Sequence, residues 1–374
     1  MNKIFLGSLG VVAILVSVAL WQKDALLPLA FTPRTPVNDP VSSASPIPAK
    51  DQEIIAENLD IPWELAFLPD GSMLVTERPG RVLRINETKQ VIPIAGVRHT
   101  GEGGLLGMAL HPDFSANHFI YLYFTTQTGD GLRNRVERYT FENNAISNKQ
   151  TILENIPGST LHDGGRIAFG PDRKLYITTG DAGIEKNAQD TNSLAGKILR
   201  VNDDGSIPAD NPFHNAVYSY GHRNPQGIAW DGAGVLWATE HGRSVPKSGF
   251  DEVNLIEKGR NYGWPAIQGN ETQSGMEQPI AHSGADDTWA PSGMVIVGNT
   301  LFFAGLRGQA LYKAQLSGDR IQNLTPRLQE QFGRLRTVVV GPDKQLYILT
   351  NNTDGRGKPK ANDDKIIRIN PNAL

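Results

Sequence analysis

His162 stands beside Asp163 and ahead of Gly164 and Gly165, in the phrase LHDGGR. Glycine lets a ligand come close to the main chain, and a neutral imidazole placed there could accept a proton near neutral pH. A loop histidine that merely caps a turn would have the same neighbours, so spacing alone leaves both readings open. Arg334 and Arg336 lie two residues apart in GRLR, at what reads as the entry to a strand. The two-residue period of a strand puts both on one face. There their guanidinium groups repel unless an anion lies between them, and each planar fork fits a carboxylate through two hydrogen bonds. A solvated edge strand would also accommodate the pair. Arg223, in YGHRNPQG, and Arg307, in GLRG, add two cations in loops bounded by glycine or proline. Four such arginines around one opening would form a receptor for a small polyanion.

Glu252 and Tyr262 fall within DEVNLIEKGRNYGWP, where an acidic pair is followed by a tight Asn-Tyr-Gly turn. Hard oxygen donors of this kind, supplemented by main-chain carbonyls, suit Ca²⁺ better than zinc. An Asp-Glu pair on its own is more often solvated surface. Two further phrases, GEGGLLG from Gly101 and EHGRSVPKSGF from Glu240, are too polar and glycine-rich to be ordinary strands.

The elements that must hold these phrases follow from a repeat: an apolar strand, a Pro-Asp or Asp-Gly turn, and a second apolar strand. Residues 65–76 read LAFLPDGSMLVT, residues 167–178 IAFGPDRKLYIT and residues 338–349 VVVGPDKQLYIL. Looser copies occupy residues 228–239, 108–124 and 294–303. Each reads as a hairpin, with turn residues between β-branched or aromatic runs. Past the N-terminus no stretch keeps a helical period. Six hairpins, with room for two further strands in each repeat, predict an all-β fold: a six-bladed β-propeller of four-stranded antiparallel blades. The polar phrases fall near the hairpin ends, so their loops should converge on the central channel.

The chain has 374 residues, 39% of them hydrophobic, and can bury a large core. Its formal net charge is −3 with mixed signs, which leaves no basic stripe for a nucleic acid. With no cysteine there is no disulfide framework, no thiolate metal site and no thiol nucleophile. Lys3 precedes an uncharged, mostly apolar run from Ile4 to Trp21, the pattern of an export signal. The run is also close to the roughly 20 residues that span a bilayer, so it is expected to be a signal peptide cleaved near Ser17-Val18-Ala19 or an uncleaved anchor. Residues 33–50, PRTPVNDPVSSASPIPAK, are too rich in proline and serine to fold. The expected organisation is a signal peptide or membrane anchor over 1–21, a tether over 22–52 and a propeller over 53–374, exported to the periplasm or beyond.

In their order GGLLG, the His-x-x-Gly-Arg phrase, GHRNPQG, DEVNL with KGRNYGWP, and Arg-x-Arg resemble the quinoprotein aldose sugar dehydrogenases, the family of soluble glucose dehydrogenase. The resemblance runs from about Leu59 to Asn370. It implies an oxidoreductase that uses pyrroloquinoline quinone (PQQ) to remove two electrons from C1 of an aldose, giving the lactone and passing the electrons to an unidentified acceptor. His162 matches the family's base. Arg223 and Asn224 match the pair that contacts quinone and substrate, and Arg307, Arg334 and Arg336 match positions that hold the cofactor's carboxylates. The resemblance also implies a Ca²⁺ on the carbonyls of Gly242 and Arg243, and a second, structural one at Glu252 and Tyr262.

The sequence departs from that pattern at three places. Glu102 replaces a glutamine beside the quinone, so an extra carboxylate would face an anionic cofactor; either burial keeps it protonated or the cofactor sits differently. Arg307 replaces a lysine. The loop 243–250 is longer and lacks a proline after Glu-His-Gly. Two other classes share the expected fold. A calcium-dependent lactonase needs a ring of carboxylates and asparagines on its metal, which the sequence does not display. A non-catalytic extracellular binding propeller would not need His162 and the arginines.

Overall fold

The computed structural model describes residues 51–244 and 249–374. The expected signal peptide or anchor, and the tether up to residue 50, lie outside the described residues. Among those described, 24 strands form six four-stranded antiparallel sheets, and α-helix is limited to the single turn Phe114–Asn117. Five blades are built from consecutive strands. They begin with Pro62–Phe67, Leu105–Leu110, Ile167–Phe169, Pro225–Trp230 and Pro291–Val297. The sixth takes Leu335–Val340, Leu346–Thr350 and Ile366–Ile369 from the C-terminus and Gln52–Ala56 from the start of the described chain. The pairing sets Gln52 opposite Ile369 and Ile54 opposite Ile367. That strand closes the ring.

Every repeated phrase forms the first two strands of a blade, and in two of the closest copies the turn aspartate shows what the repeat does. Asp172 accepts from the main-chain N–H of Lys174 at 3.1 Å, the Tyr176 hydroxyl at 3.1 Å and Arg200 Nε at 2.9 Å. Asp343 does the same with Gln345, Tyr347 and Arg368. One carboxylate thus shapes the turn and pins the second and third strands together.

The apolar faces meet between sheets. Six clusters of buried residues lie one at each contact between neighbouring blades, for example Leu74, Val82, Leu122 and Phe124 between blades one and two. Ile348 and Ile367 are buried with Phe302 and Leu311 between blades five and six.

The innermost strands face a polar axis. Thr76 donates to the Leu106 carbonyl at 2.6 Å, Thr239 to that of Ser292 at 2.7 Å, and Arg166 Nε to that of Gln226 at 2.9 Å. Arg166 also pairs with Glu64 and lies 4.1 Å over the Trp63 ring. These contacts tie neighbouring blades to one another around the axis, and the cavity at one end of it is a cup.

Ile367 is fully buried beside the closing strand, so Ile367→Ala is expected to lower unfolding free energy by about 2–4 kcal/mol. Urea denaturation followed by tryptophan fluorescence measures it, and a loss below about 1 kcal/mol would mean that closure does not depend on this packing.

Candidate active site at the mouth of the channel

The cup opens where the loops entering each inner strand meet those leaving each second strand. Its cavity, about 340 Å³, is lined among others by Glu102, His162, Asp181, Arg223, Gly242, Arg243, Asp251, Trp264, Arg307, Arg334 and Arg356. Most of the residues singled out from the sequence therefore share one wall. A smaller chamber of about 20 Å³ lies deeper, against Trp63, Arg78, Asp163, His241 and Arg336.

His162 is fixed from three sides. Its Nδ1 lies 2.8 Å from Asp181 Oδ1, its main-chain N–H donates to Glu102 Oε2 at 2.9 Å, and its carbonyl accepts from Ala182 at 3.3 Å. Burial works against charge on Asp181, but the hydrogen bonds from His162, Gly183 and Trp264 hold its carboxyl below the usual range. An ionised carboxylate can only accept, so Nδ1 carries a proton, and in the neutral imidazole Nε2 is the nitrogen whose lone pair is left for the cavity. Gly180 permits this arrangement, because a Cβ there would overlap the His162 carbonyl. Asp163, the sequence neighbour, turns away: it accepts from Asn134 Nδ2 at 2.9 Å and from Ser159 at 3.1 Å, and burial pushes its carboxyl up to about 7.

The arginines do not form one uniform receptor. Arg334 reaches the cavity wall but donates to Asp354 at 3.0 Å, a carboxylate that burial opposes and the neighbouring arginines hold ionised. Arg336 sits one level deeper, bonded to Asn351 Oδ1 at 2.8 Å and Gln226 Oε1 at 2.7 Å. The two do point the same way, yet the anion that their spacing called for is partly supplied by the protein itself. Arg223 is buried, stacks 5.3 Å from the Trp264 ring and donates to Ser244 Oγ at 3.3 Å. Asn224 is fully buried behind the wall, its Oδ1 accepting from Gly164 at 3.0 Å.

Glu102 corrects an expectation. Burial does not leave it protonated: burial opposes the charge, but the Arg356 guanidinium, 2.6 Å from Oε1, outweighs it and holds the carboxyl well below its ordinary value. Arg356 comes from the loop after the second strand of blade six, 254 residues away in the chain.

The residues named for cations also come together. A chamber of about 10 Å³ behind the wall is lined by Glu240, Gly242, Arg243, Glu252 and Tyr262. Glu252 lies directly opposite Glu240 on the neighbouring strand, and burial followed by the Glu240 charge raises its carboxyl above the ordinary 4.5. The Tyr262 hydroxyl is committed, donating to Leu255 at 2.6 Å and accepting from Glu257 at 2.8 Å, so its main-chain carbonyl is the oxygen it has to offer. The Arg243 carbonyl accepts from Gly249 at 3.2 Å. Residues 245–248, most of the long loop, lie outside the described residues. Asp251, partner of Glu252 in the acidic pair, instead binds four groups at 2.6–2.9 Å, from Gly242, Thr288, Trp289 and Ala290. No group of three or more His, Asp or Glu able to hold a metal occurs among the described residues. A cation here must therefore take mixed carboxylate and carbonyl donors.

Two buried donor atoms in or beside the wall, Arg223 Nε and Asn224 Nδ2, and the ring nitrogen Nε2 of His241 have no hydrogen-bond partner among the described residues. Orphaned donors at a cationic cavity fit an oxygen-rich anionic ligand.

A family model for glucose/sorbosone dehydrogenase matches residues 59–367. The chain belongs to the glucose/sorbosone dehydrogenase family. Among its relatives, the aldose sugar dehydrogenase YliI of Escherichia coli is 34% identical over 343 residues, covering 81% of this chain and 90% of that one. The quinoprotein glucose dehydrogenase B of Acinetobacter calcoaceticus is 38% identical over 263 residues, 60% of this chain and 54% of that one. The PQQ-bound aldose sugar dehydrogenase of Streptomyces coelicolor superposes with a TM-score of 0.79 at 40% identity, covering 86% of this chain and 98% of that one. The chain is thus an oxidoreductase-family propeller.

Sequence reasoning missed Asp181, Asp354 and Arg356. Asp181 had a signal: Glu77, Asp181, Glu240 and Asn351 all stand at the end of a blade's second strand or just past it, where that strand reaches the cavity. Asp354 and Arg356 had none.

Glu252 supplies a stability test. In cation-free protein the folded state keeps a proton that the unfolded chain releases near pH 4.5, so the folded state binds more protons and stability falls as pH rises past that value. In a chelator the melting temperature is expected to drop between pH 5 and 8, and Glu252→Gln to flatten the drop. A wild-type profile as flat as the variant's would contradict the assignment.

Proposed function

We propose that this family member is a PQQ-dependent dehydrogenase that oxidises C1 of an aldose to the lactone. One observation carries the reading. An imidazole with its Nδ1 proton held by an ionised aspartate turns a bare Nε2 toward the same cavity that Arg223, Arg307 and Arg334 line. The PQQ-bound relative and the quinoprotein relative support the choice of cofactor.

When bound, the quinone supplies a two-electron acceptor for the C1 hydrogen, a role that no side chain can fill. His162 Nε2 takes the C1 hydroxyl proton as the C–H bond breaks and the C=O bond forms, and Asp181 stabilises the resulting imidazolium. Arg223, desolvated and with an uncommitted Nε–H, stabilises developing negative charge. Asn224 contributes its orphaned Nδ2. Arg307, Arg334 and Arg336 would hold the cofactor's carboxylates, Glu102 would lie beside it, and aldose would enter past Leu161 and Trp264. Calcium would sit on the carbonyls of Gly242 and Arg243 as a Lewis acid, with a second ion at Glu252 and Tyr262. The Lys3–Trp21 pattern supports export, with membrane tethering if it is not cleaved; no helix among the described residues is long and apolar enough to cross a membrane.

Purified protein reconstituted with PQQ and Ca²⁺ is expected to reduce an electron-accepting dye with at least one aldose. His162→Ala should lose about 10²–10⁴-fold in kcat while still binding PQQ. No turnover with any aldose, and no absorbance change of the added quinone, would refute the reading. Chelation should abolish turnover, and added Ca²⁺ should restore it and raise the melting temperature.

A further inference from the structure

The cavity holds one ion pair that the proposed chemistry does not use, Glu102 with Arg356. We infer that Glu102 and Arg356 are positioning residues: Glu102 anchors the main chain of His162, and Arg356 cancels the anchor's charge so that an anionic ligand can lie beside it. The charge half of this inference rests on the proposed cofactor reading; the anchoring half does not.

His162 needs an anchor. Its φ of 57° lies in the left-handed region, which is unfavourable for a residue bearing a Cβ. Two glycines with positive φ follow it, so local sequence does little to hold the loop. Glu102 does so twice: its own N–H donates to the Thr160 carbonyl at 2.9 Å, and its Oε2 accepts from the His162 N–H at 2.9 Å. The anchor crosses from the loop entering blade two to the loop entering blade three. Its free oxygen, Oε1, accepts from Arg356 Nη1 at 2.6 Å.

Arg356 is itself placed. Its main-chain N–H donates to Asp354 Oδ1 at 2.9 Å, and Asp354 Oδ2 accepts from Arg334. One hydrogen-bonded chain thus runs from Arg334 through Asp354, Arg356 and Glu102 to His162, joining three blades. The charged groups that act on Glu102 or line the adjoining chamber are Arg356, His162, His241, Arg78, Asp163, Asp354 and Arg336. Among the described residues, Arg356 makes the direct ion pair with it. Without Arg356, a carboxylate would face any anion in the cavity; without Glu102, Arg356 would add an unbalanced cation.

Two measurements test this. The first uses the protein without added cofactor, labelled with ¹⁵N-histidine. Wild type and Glu102→Gln, which keeps an acceptor for the His162 N–H, should show one His162 imidazole signal set in the Nδ1–H tautomer with the same line width. Glu102→Ala should broaden or split that set, and an unchanged spectrum in Glu102→Ala would overturn the anchoring role. The second is PQQ affinity by calorimetry. Glu102→Gln should bind about tenfold more tightly, Arg356→Met about tenfold more weakly, and the double variant within about threefold of wild type. Single variants with wild-type affinity would overturn the charge-cancelling role. Failure of the wild type to bind PQQ at all would sink the cofactor reading and the charge-cancelling role with it, and leave the histidine spectra to decide the anchor.

Discussion

The pairing of Gln52–Ala56 with Ile366–Ile369 is the contact on which the site depends. It makes the last sheet four-stranded and brings blade six against blade one, so the loop with Asp354 and Arg356 can reach Glu102 and His162. An open stack of six sheets would hold the same hairpins and have no cavity. The polar axis then matters as much as the ring. Threonines and the Glu64–Arg166 pair fill the channel below, so the convergent loops stand on a packed floor.

A second constraint is the cost of burying charge. The cavity wall carries arginines, yet Arg334 and Arg356 each have a carboxylate within 3.0 Å, while Arg336 is held by neutral amides. The protein thus meets part of the electrostatic demand before any ligand arrives. Buried donors left unmatched at the wall include Arg223 Nε and Asn224 Nδ2. They define where an oxygen-rich ligand gains most. Behind the wall the same cost falls on Glu252, which lies opposite Glu240 and whose carboxyl burial and that neighbouring charge raise above its ordinary value.

The hairpins were legible because each turn aspartate does local work, binding its own turn and the tyrosine four residues on, as Asp172 and Asp343 show. The two outer strands of each blade carry no such phrase, and in blade four the outermost is only Ala281–His282. His162 and the arginines were legible for the same local reason, the glycines and prolines that surround them. The charge state of Glu102 was not, because it depends on Arg356, which ring closure brings across from the far end of the chain. The role of Asp163 was misleading by adjacency: with Gly164 and Gly165 both at positive φ, the chain bends so that the neighbour of His162 faces Asn134 and the remote Asp181 faces the imidazole.

The central claim is that this cavity removes hydrogen from C1 of a sugar with His162 as the base. Stopped-flow mixing of PQQ-loaded, calcium-loaded protein with an aldose deuterated at C1 tests it most directly. The account predicts that cofactor reduction slows by about threefold or more relative to the protiated sugar, and that His162→Ala slows it further, by about two orders of magnitude or more. Reduction at the same rate with both sugars, or a rate that His162→Ala leaves intact, would contradict it.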